Sequence, residues 1–184
     1  ALSRLQVSND GYMDSAHQLR NQYGADLVSL IDEDANYCGI AYVMSPESSG
    51  FASWAFNVVL SSCLSNQTLA HEIGHNQGDA HDRANSSVAG AFAYSYGHRR
   101  CVSDGTGFRT IMSYSNGCTG GTRINNFSNP NVLYGGFATG ISYELDPANS
   151  ADNARSMNNT ADTVAAFRAA AATTPPTAPT ALGA

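Results

Sequence analysis

The chain has 184 residues, 42% of them hydrophobic, which fits one domain with a real core. Charged residues make up only 13%, about half the roughly 25% usual in globular proteins, which argues against a charge-rich disordered protein. The net charge of −6, with all nine basic residues Arg and no basic run, excludes a nucleic-acid footprint, and no stretch of about 18 apolar residues is present to span a membrane.

The opening residues, ALSRLQVSND, lack the basic start and apolar stretch of a signal peptide, so an exported protein would carry this chain in processed form. The segment Asp14–Tyr23 predicts a helix, with Asp14 as its cap and Gly24 as its stop. Three strands are predicted at Asp26–Ile31 (DLVSLI), Gly39–Met44 (GIAYVM) and Ala55–Leu60 (AFNVVL), the last two separated by the loop SPESSG. Asn66 is placed to cap a helix over about Gln67–Gln77, which Gly78 can end. From Gly90 to Gly140 the chain is rich in Gly, Asn, Ser and Tyr without a long periodic element, so it needs local pins such as disulfides or a metal. Asp146-Pro147 reads as a cap and first helical residue, opening a helix to about Ala171 that buries Ala154, Met157, Ala161 and Val164. The end, TTPPTAPTALGA, is Pro/Thr-rich and reads as linker, which divides the chain into a domain over 1–172 and a tail over 173–184.

Four cysteines, Cys38, Cys63, Cys101 and Cys118, form no C-x-x-C pair and allow three connectivities. Cys38–Cys63 and Cys101–Cys118 are favoured because each pair brackets one compact segment; the alternative is four reduced, buried thiols. The low charge, absence of Lys and Thr/Pro-rich end suit an extracellular protein, where each bridge would stabilise by about 3 kcal/mol.

The chemistry concentrates in HEIGHNQGDAHD, from His71 to Asp82. On a helix His71 and His75 project from one face, while Leu69 and Ile73 can face the core. Gly78 can adopt a left-handed conformation and turn the chain, bringing His81 back as a third imidazole. Three neutral imidazoles and an open position make a site for catalytic zinc, with Glu72 near enough to reach a water there without ligating the metal. The alternative is an ordinary amphipathic helix with solvated His and Glu. His17 and His98 lie outside the motif and read as surface or satisfied histidines.

HEIGHNQGDAHD resembles the zinc signature of the metzincin metallopeptidases, and its final His-Asp resembles their reprolysin (adamalysin-like) branch. TIMSY, Thr110–Tyr114, is similar to the Met-turn of that family. DLVSLI, CGIAYV and the approach to the helix resemble reprolysin-like domains in order and spacing, most closely the secreted bacterial peptidyl-Asp metallopeptidases, over roughly residues 10 to 170. The resemblance implies an α/β zincin fold: a twisted mixed sheet over an active-site helix, an irregular Gly-rich C-terminal subdomain and a C-terminal helix. Such domains usually carry a strand, a helix and another strand before the region where this chain begins. A fragment, an autolysed product or a reduced form is therefore expected, and the cysteines need not pair as in animal reprolysins.

The resemblance further implies a secreted zinc endopeptidase. Glu72 would be general base to a metal-activated water, and Met112 the apolar base beneath the imidazoles, against the alternative of an ordinary core methionine. Tyr114 matches a tyrosine that reaches the zinc or the transition state in astacin- and serralysin-like metzincins but is missing from typical animal reprolysins; the alternative is a packed aromatic. Asp82 could accept a hydrogen bond beside the last ligand and fix its loop; the alternative is a helix or turn cap, and a structural role is favoured. Arg123, after the Met-turn, and Arg109, before it, are candidates to pair with an acidic side chain following the cut, against the alternative of solvated surface arginines. Protein or peptide substrates, a monomer and an appended C-terminal module are expected. Scattered Asp and Asn leave room for Ca²⁺. The rival readings are a non-catalytic binding domain with structural zinc and a zinc amidase acting on cell-wall material.

Overall fold

A computed structural model describes residues 1–169; the Pro/Thr-rich tail proposed over 173–184 lies outside the described residues. The chain opens with α1 (Leu2–Gln6) and α2 (Asp14–Tyr23), followed by β1 (Val28–Asp32), β2 (Gly39–Ala41) and β3 (Phe56–Leu60). These strands form one mixed sheet in the order β1-β3-β2. β1 runs parallel to β3, from Val28 opposite Phe56 to Asp32 opposite Leu60, and β2 runs antiparallel, from Gly39 opposite Val59 to Ala41 opposite Asn57. The central strand is the apolar one, as expected for a strand covered on both faces. Phe56, Val58 and Val59 are fully buried. Leu2 and Leu5 of α1 pack on Phe56 and Val58, with Met13, Ala16 and Leu30 around them.

α2 has the predicted bounds but another cap. Met13 holds the cap position in the left-handed region at φ 53°, with no side-chain cap. The Asp14 carboxylate instead accepts from the backbone N–H groups of Asn9 at 2.6 Å and Gly11 at 3.2 Å, organising the loop in front of the helix. Gly24 stops the helix at φ 61°.

α3 (Thr68–Asn76) packs against β2 and β3. Its start also differs: Gln67, at φ 62°, is the cap residue, so Asn66 is not. Buried Asn76 at its end receives a hydrogen bond from Asn57 Nδ2 at 2.8 Å and donates to the carbonyls of Tyr42 and Phe56, which rivets the helix to the sheet.

The Gly-rich region forms only short pairings: β4 (Arg99–Arg100), β5 (Phe108–Arg109) and β6 (Thr122–Arg123) in one small sheet, and the hairpin β7 (Leu133–Tyr134) with β8 (Phe137–Ala138). Cys101–Cys118 brackets β5 and the Met-turn, and Cys38–Cys63 ties the head of β2 to the 3₁₀ turn Ser61–Asn66 before α3. Both favoured pairings are therefore present.

α4 (Asn153–Ala165) begins later than predicted. Asp152 is its cap, accepting from Arg155 N–H at 3.1 Å, while Asp146 closes a separate turn with Asn149. Its buried stripe is also shifted. Asn153, Ser156, Thr160 and Val164 are buried, Ala154 and Met157 are half-buried, and Ala161 is exposed. The inward face is polar because it meets polar groups of the turns around α3, such as the Gln77 carbonyl that receives the Thr160 hydroxyl at 3.0 Å and Ser95, whose hydroxyl donates to Ser156 at 2.7 Å. Val164 and Phe167 then join Met44 and Ala55 in a second core cluster.

Loss of the Asp152 cap is expected to cost about 1 kcal/mol. In Asp152→Ala, hydrogen exchange should show lost protection in the first turn of α4, and denaturant melts the lower stability. Asp146→Ala should leave the amides of α4 protected.

Candidate metal centre

Helix periodicity sets His71 and His75 one turn apart on α3. The chain then reverses at Gly78, which sits at φ 91° with no room for a side chain: a Cβ there would lie 2.5 Å from that of Ala91. Ala80 bridges to Tyr96, and His81 returns to the other two histidines. The His81 Nε2 atom lies 3.1 Å from His71 Nε2 and 3.0 Å from His75 Nε2.

Two backbone carbonyls decide which nitrogens point inward. His71 Nδ1 lies 2.9 Å from the Ile111 carbonyl and His75 Nδ1 2.7 Å from the Asp79 carbonyl. A carbonyl can only accept, so each Nδ1 carries the proton and each Nε2 presents its lone pair to the centre. Lone pairs this close repel unless a proton or a cation lies among them. Burial pushes the His71 pKa well below its ordinary value, with His75 adding to the effect. Burial and the neighbouring His81 bring His75 down to about 4, and burial also lowers His81. At neutral pH a shared proton is therefore disfavoured, and a cation is what this donor set fits. Neutral imidazoles are suited to zinc. Among the described residues, this is the only cluster of three or more His, Cys, Asp or Glu side chains able to hold an ion.

Glu72 is buried beside the histidines and packs against Gly39 of β2, where a Cβ would come within 2.7 Å of its Cδ. Burial pushes its carboxyl up to about 8, with Arg123 pulling the other way. Met112 is fully buried against α3, and a Cβ at Gly74 would meet its sulfur at 2.8 Å. The turn carrying Met112 is held by His98, whose carbonyl accepts from Thr110 Oγ1 and Ser113 Oγ at 3.0 Å each. The His98 ring, packed on Phe108, and His17, bonded to the Leu5 carbonyl, stand apart from the cluster. Asp82 is buried and pairs with Arg99 Nε at 3.0 Å. It also accepts from Tyr114 N–H at 3.0 Å, which ties the ligand turn to the Met-turn.

Tyr114 stacks near His81 with ring centroids 4.2 Å apart and borders two cavities. One contains the three imidazoles and Glu72, walled by Gly39, Ile40 and Ala41 of β2. The other, of about 410 Å³, is lined by Arg109, Arg123, Asn66 and Thr68. Arg109 donates to the Ser113 carbonyl at 3.2 Å and Arg123 to the Asn66 carbonyl at 2.9 Å, and each keeps a buried Nε–H without a partner. Burial lowers both guanidinium pKa values, and Arg109 lowers that of Arg123 further.

Three contributors escaped sequence reading. Gly39 had a signal, since a glycine in a strand pattern often marks close approach. The carbonyls of Ile111 and Asp79 had none, because backbone groups carry no side-chain signature.

The fold and site define a class. A family model described as Metallo-peptidase family M12 matches residues 1–128, and the chain belongs to that reprolysin-like family. Its relatives include proteins named peptidyl-Asp metalloendopeptidase. One from Stenotrophomonas maltophilia is 42% identical over 169 residues and one from Xanthomonas campestris pv. campestris 40% over 170, each alignment covering 91% of this chain. The chain spans 38% and 37% of the length of these curated relatives. A solved structure described as a chaperone–substrate complex aligns with 91% of this chain and 24% of its own, with a TM-score of 0.61 at 18% identity, which shows a shared fold.

Gly39→Ala should overpack the Glu72 carboxyl and cost about 1–3 kcal/mol in thermal or urea melts. Wild-type stability in that variant would mean that the carboxyl does not pack against β2.

Proposed function

We propose that this chain is the catalytic domain of a secreted zinc endopeptidase that cuts on the amino side of acidic residues. The reading is carried by the convergence of three imidazole Nε2 atoms beside a buried carboxyl. The family and the names of the relatives support it. His71, His75 and His81 would hold the ion. When bound, zinc supplies Lewis acidity to a water and to the scissile carbonyl.

The protein's residues do the rest. Glu72 takes a proton from the attacking water and returns it to the departing amine. Burial holds this carboxyl at about 8 even against the pull of Arg123, so a cation held by the imidazoles would be needed to favour its ionised, basic form. Tyr114, at the junction of the two cavities, is the proposed donor to the developing oxyanion. Met112 supports the helix from below, and Asp82 holds the loop that carries His81. β2 is an edge strand beside the cleft, so an extended peptide can add to it through main-chain hydrogen bonds. The side chain following the cut then enters the cavity of Arg109 and Arg123, whose charges favour a carboxylate.

A structural zinc site would be closed by a fourth protein ligand, and among the described residues no further His, Cys, Asp or Glu joins the cluster. The two disulfides support export.

Glu72→Gln should keep stoichiometric zinc and lose about 10²–10⁴-fold in turnover on a peptide substrate. Full activity in that variant would remove Glu72 from the reaction. Arg123→Ala, profiled on a peptide library, should lose the preference for Asp or Glu after the cut while still hydrolysing. An unchanged acidic preference, or a wild-type preference for bulky apolar residues there, would remove the arginine pocket from specificity.

A further inference from the structure

The cavity of the three imidazoles has an apolar part that the proposed chemistry does not use. Ile40, Val43 and Val88 line it alongside the histidines, Glu72 and Tyr114. Ile40 is 37% exposed, Val88 is 52% exposed and Val43 is half-buried. One exposed valine needs no reason, but three aliphatic side chains around a single cleft do.

Val88 is held there by the chain on either side of it. Before it, Asn85 Nδ2 donates to both Asp82 oxygens at 2.8 and 3.0 Å. After it, the Gly90 carbonyl accepts from Ser45 Oγ at 3.1 Å, and a Cβ at Gly90 would lie 2.5 Å from the Gly78 oxygen. Between these anchors the Ser86 hydroxyl donates to the Val88 carbonyl at 2.7 Å. Val43 is fixed through its neighbour, since the Met44 N–H donates to the His75 carbonyl at 3.1 Å.

The order of residues along β2 says which part of a substrate meets them. Cys38, just before β2, borders the arginine cavity, whereas Gly39, Ile40, Ala41 and Val43 border that of the imidazoles. A peptide lying along β2 with the side chain after the cut beside Arg109 and Arg123 therefore has its preceding residues near Val43 and Val88. We propose that Val88, together with Val43, is a specificity determinant for the amino side of the cut, forming a subsite for an aliphatic or aromatic side chain in one of the two positions before the scissile bond. The inference rests on the reading of the chain as an endopeptidase whose arginine cavity takes the residue after the cut. Apolar pockets typically discriminate about 10–200-fold per methylene, and a subsite half open to solvent falls at the low end of that range.

The test uses peptides with Asp after the cut and Leu, Phe, Ser or Gln at each of the two positions before it. The zinc-loaded protein should favour Leu or Phe over Ser or Gln by about tenfold in kcat/KM at one of those positions. Val88→Ser should bring that ratio below about threefold while still cutting before Asp. Its zinc content and melting temperature should match wild type, as the side chain is half exposed. Val43→Thr, which keeps the shape but adds a hydroxyl, should lower the ratio as well. Leu133→Ser, on the exposed hairpin β7–β8, should leave it unchanged. Binding is read separately in Glu72→Gln by fluorescence anisotropy, where the Leu peptide should bind severalfold more tightly than the Gln peptide and Val88→Ser should remove the difference. Cleavage before Asp with no apolar preference at either position, or a preference that survives both Val88→Ser and Val43→Thr, would overturn the inference and leave the endopeptidase reading standing. A wild type that does not cut before acidic residues would remove that reading and this inference with it.

Discussion

Two hydrogen bonds from imidazole to backbone govern the site. By accepting hydrogen bonds from the Nδ1–H groups of His71 and His75, the carbonyls of Ile111 and Asp79 leave both Nε2 lone pairs facing inward. Everything around α3 can be understood as support for those two acceptors. The Met-turn must approach closely enough to offer Ile111, which requires glycine at position 74 where Met112 packs. The chain must reverse tightly enough for Asp79 to face back onto His75, which requires Gly78. Asp82 then joins the two segments, pairing with Arg99 and receiving the Tyr114 amide.

The electrostatics follow from burial. Three imidazoles are driven toward the neutral form, and Glu72 is driven toward its protonated form. Both shifts reflect the cost of charge in a site with little water. A dication reverses that cost, since it is ligated by neutral imidazoles and stabilises a neighbouring carboxylate. The adjoining pocket has the opposite character, with two arginines whose pKa values are lowered by burial, that of Arg123 also by Arg109. The two cavities, one lined by imidazoles and the other by arginines, meet at Tyr114.

Much of this was legible in the residues. The spacing of His71, Glu72, His75, Gly78 and His81 depends only on helical geometry and one left-handed turn, so a linear pattern carries it. α2 likewise had sharp boundaries, since Gly24 is an unambiguous stop. Helix starts were harder. Met13 and Gln67 hold cap positions without side-chain bonds, in left-handed conformations that non-glycine residues seldom adopt, so propensity pointed to Asp14 and Asn66 instead. α4 was misregistered for a related reason. The apolar period points to a stripe along Ala154, Met157, Ala161 and Val164, of which only Val164 is buried, while the helix otherwise buries Asn153, Ser156 and Thr160 against polar partners that only the tertiary structure supplies. The strands β4 to β8 are too short for any period to appear.

X-ray absorption at the zinc edge of the purified protein tests the central claim most directly. The account predicts a first shell of three imidazole nitrogens at about 2.0–2.1 Å and one further light atom. A shell containing sulfur, or fewer than three imidazoles, would contradict it.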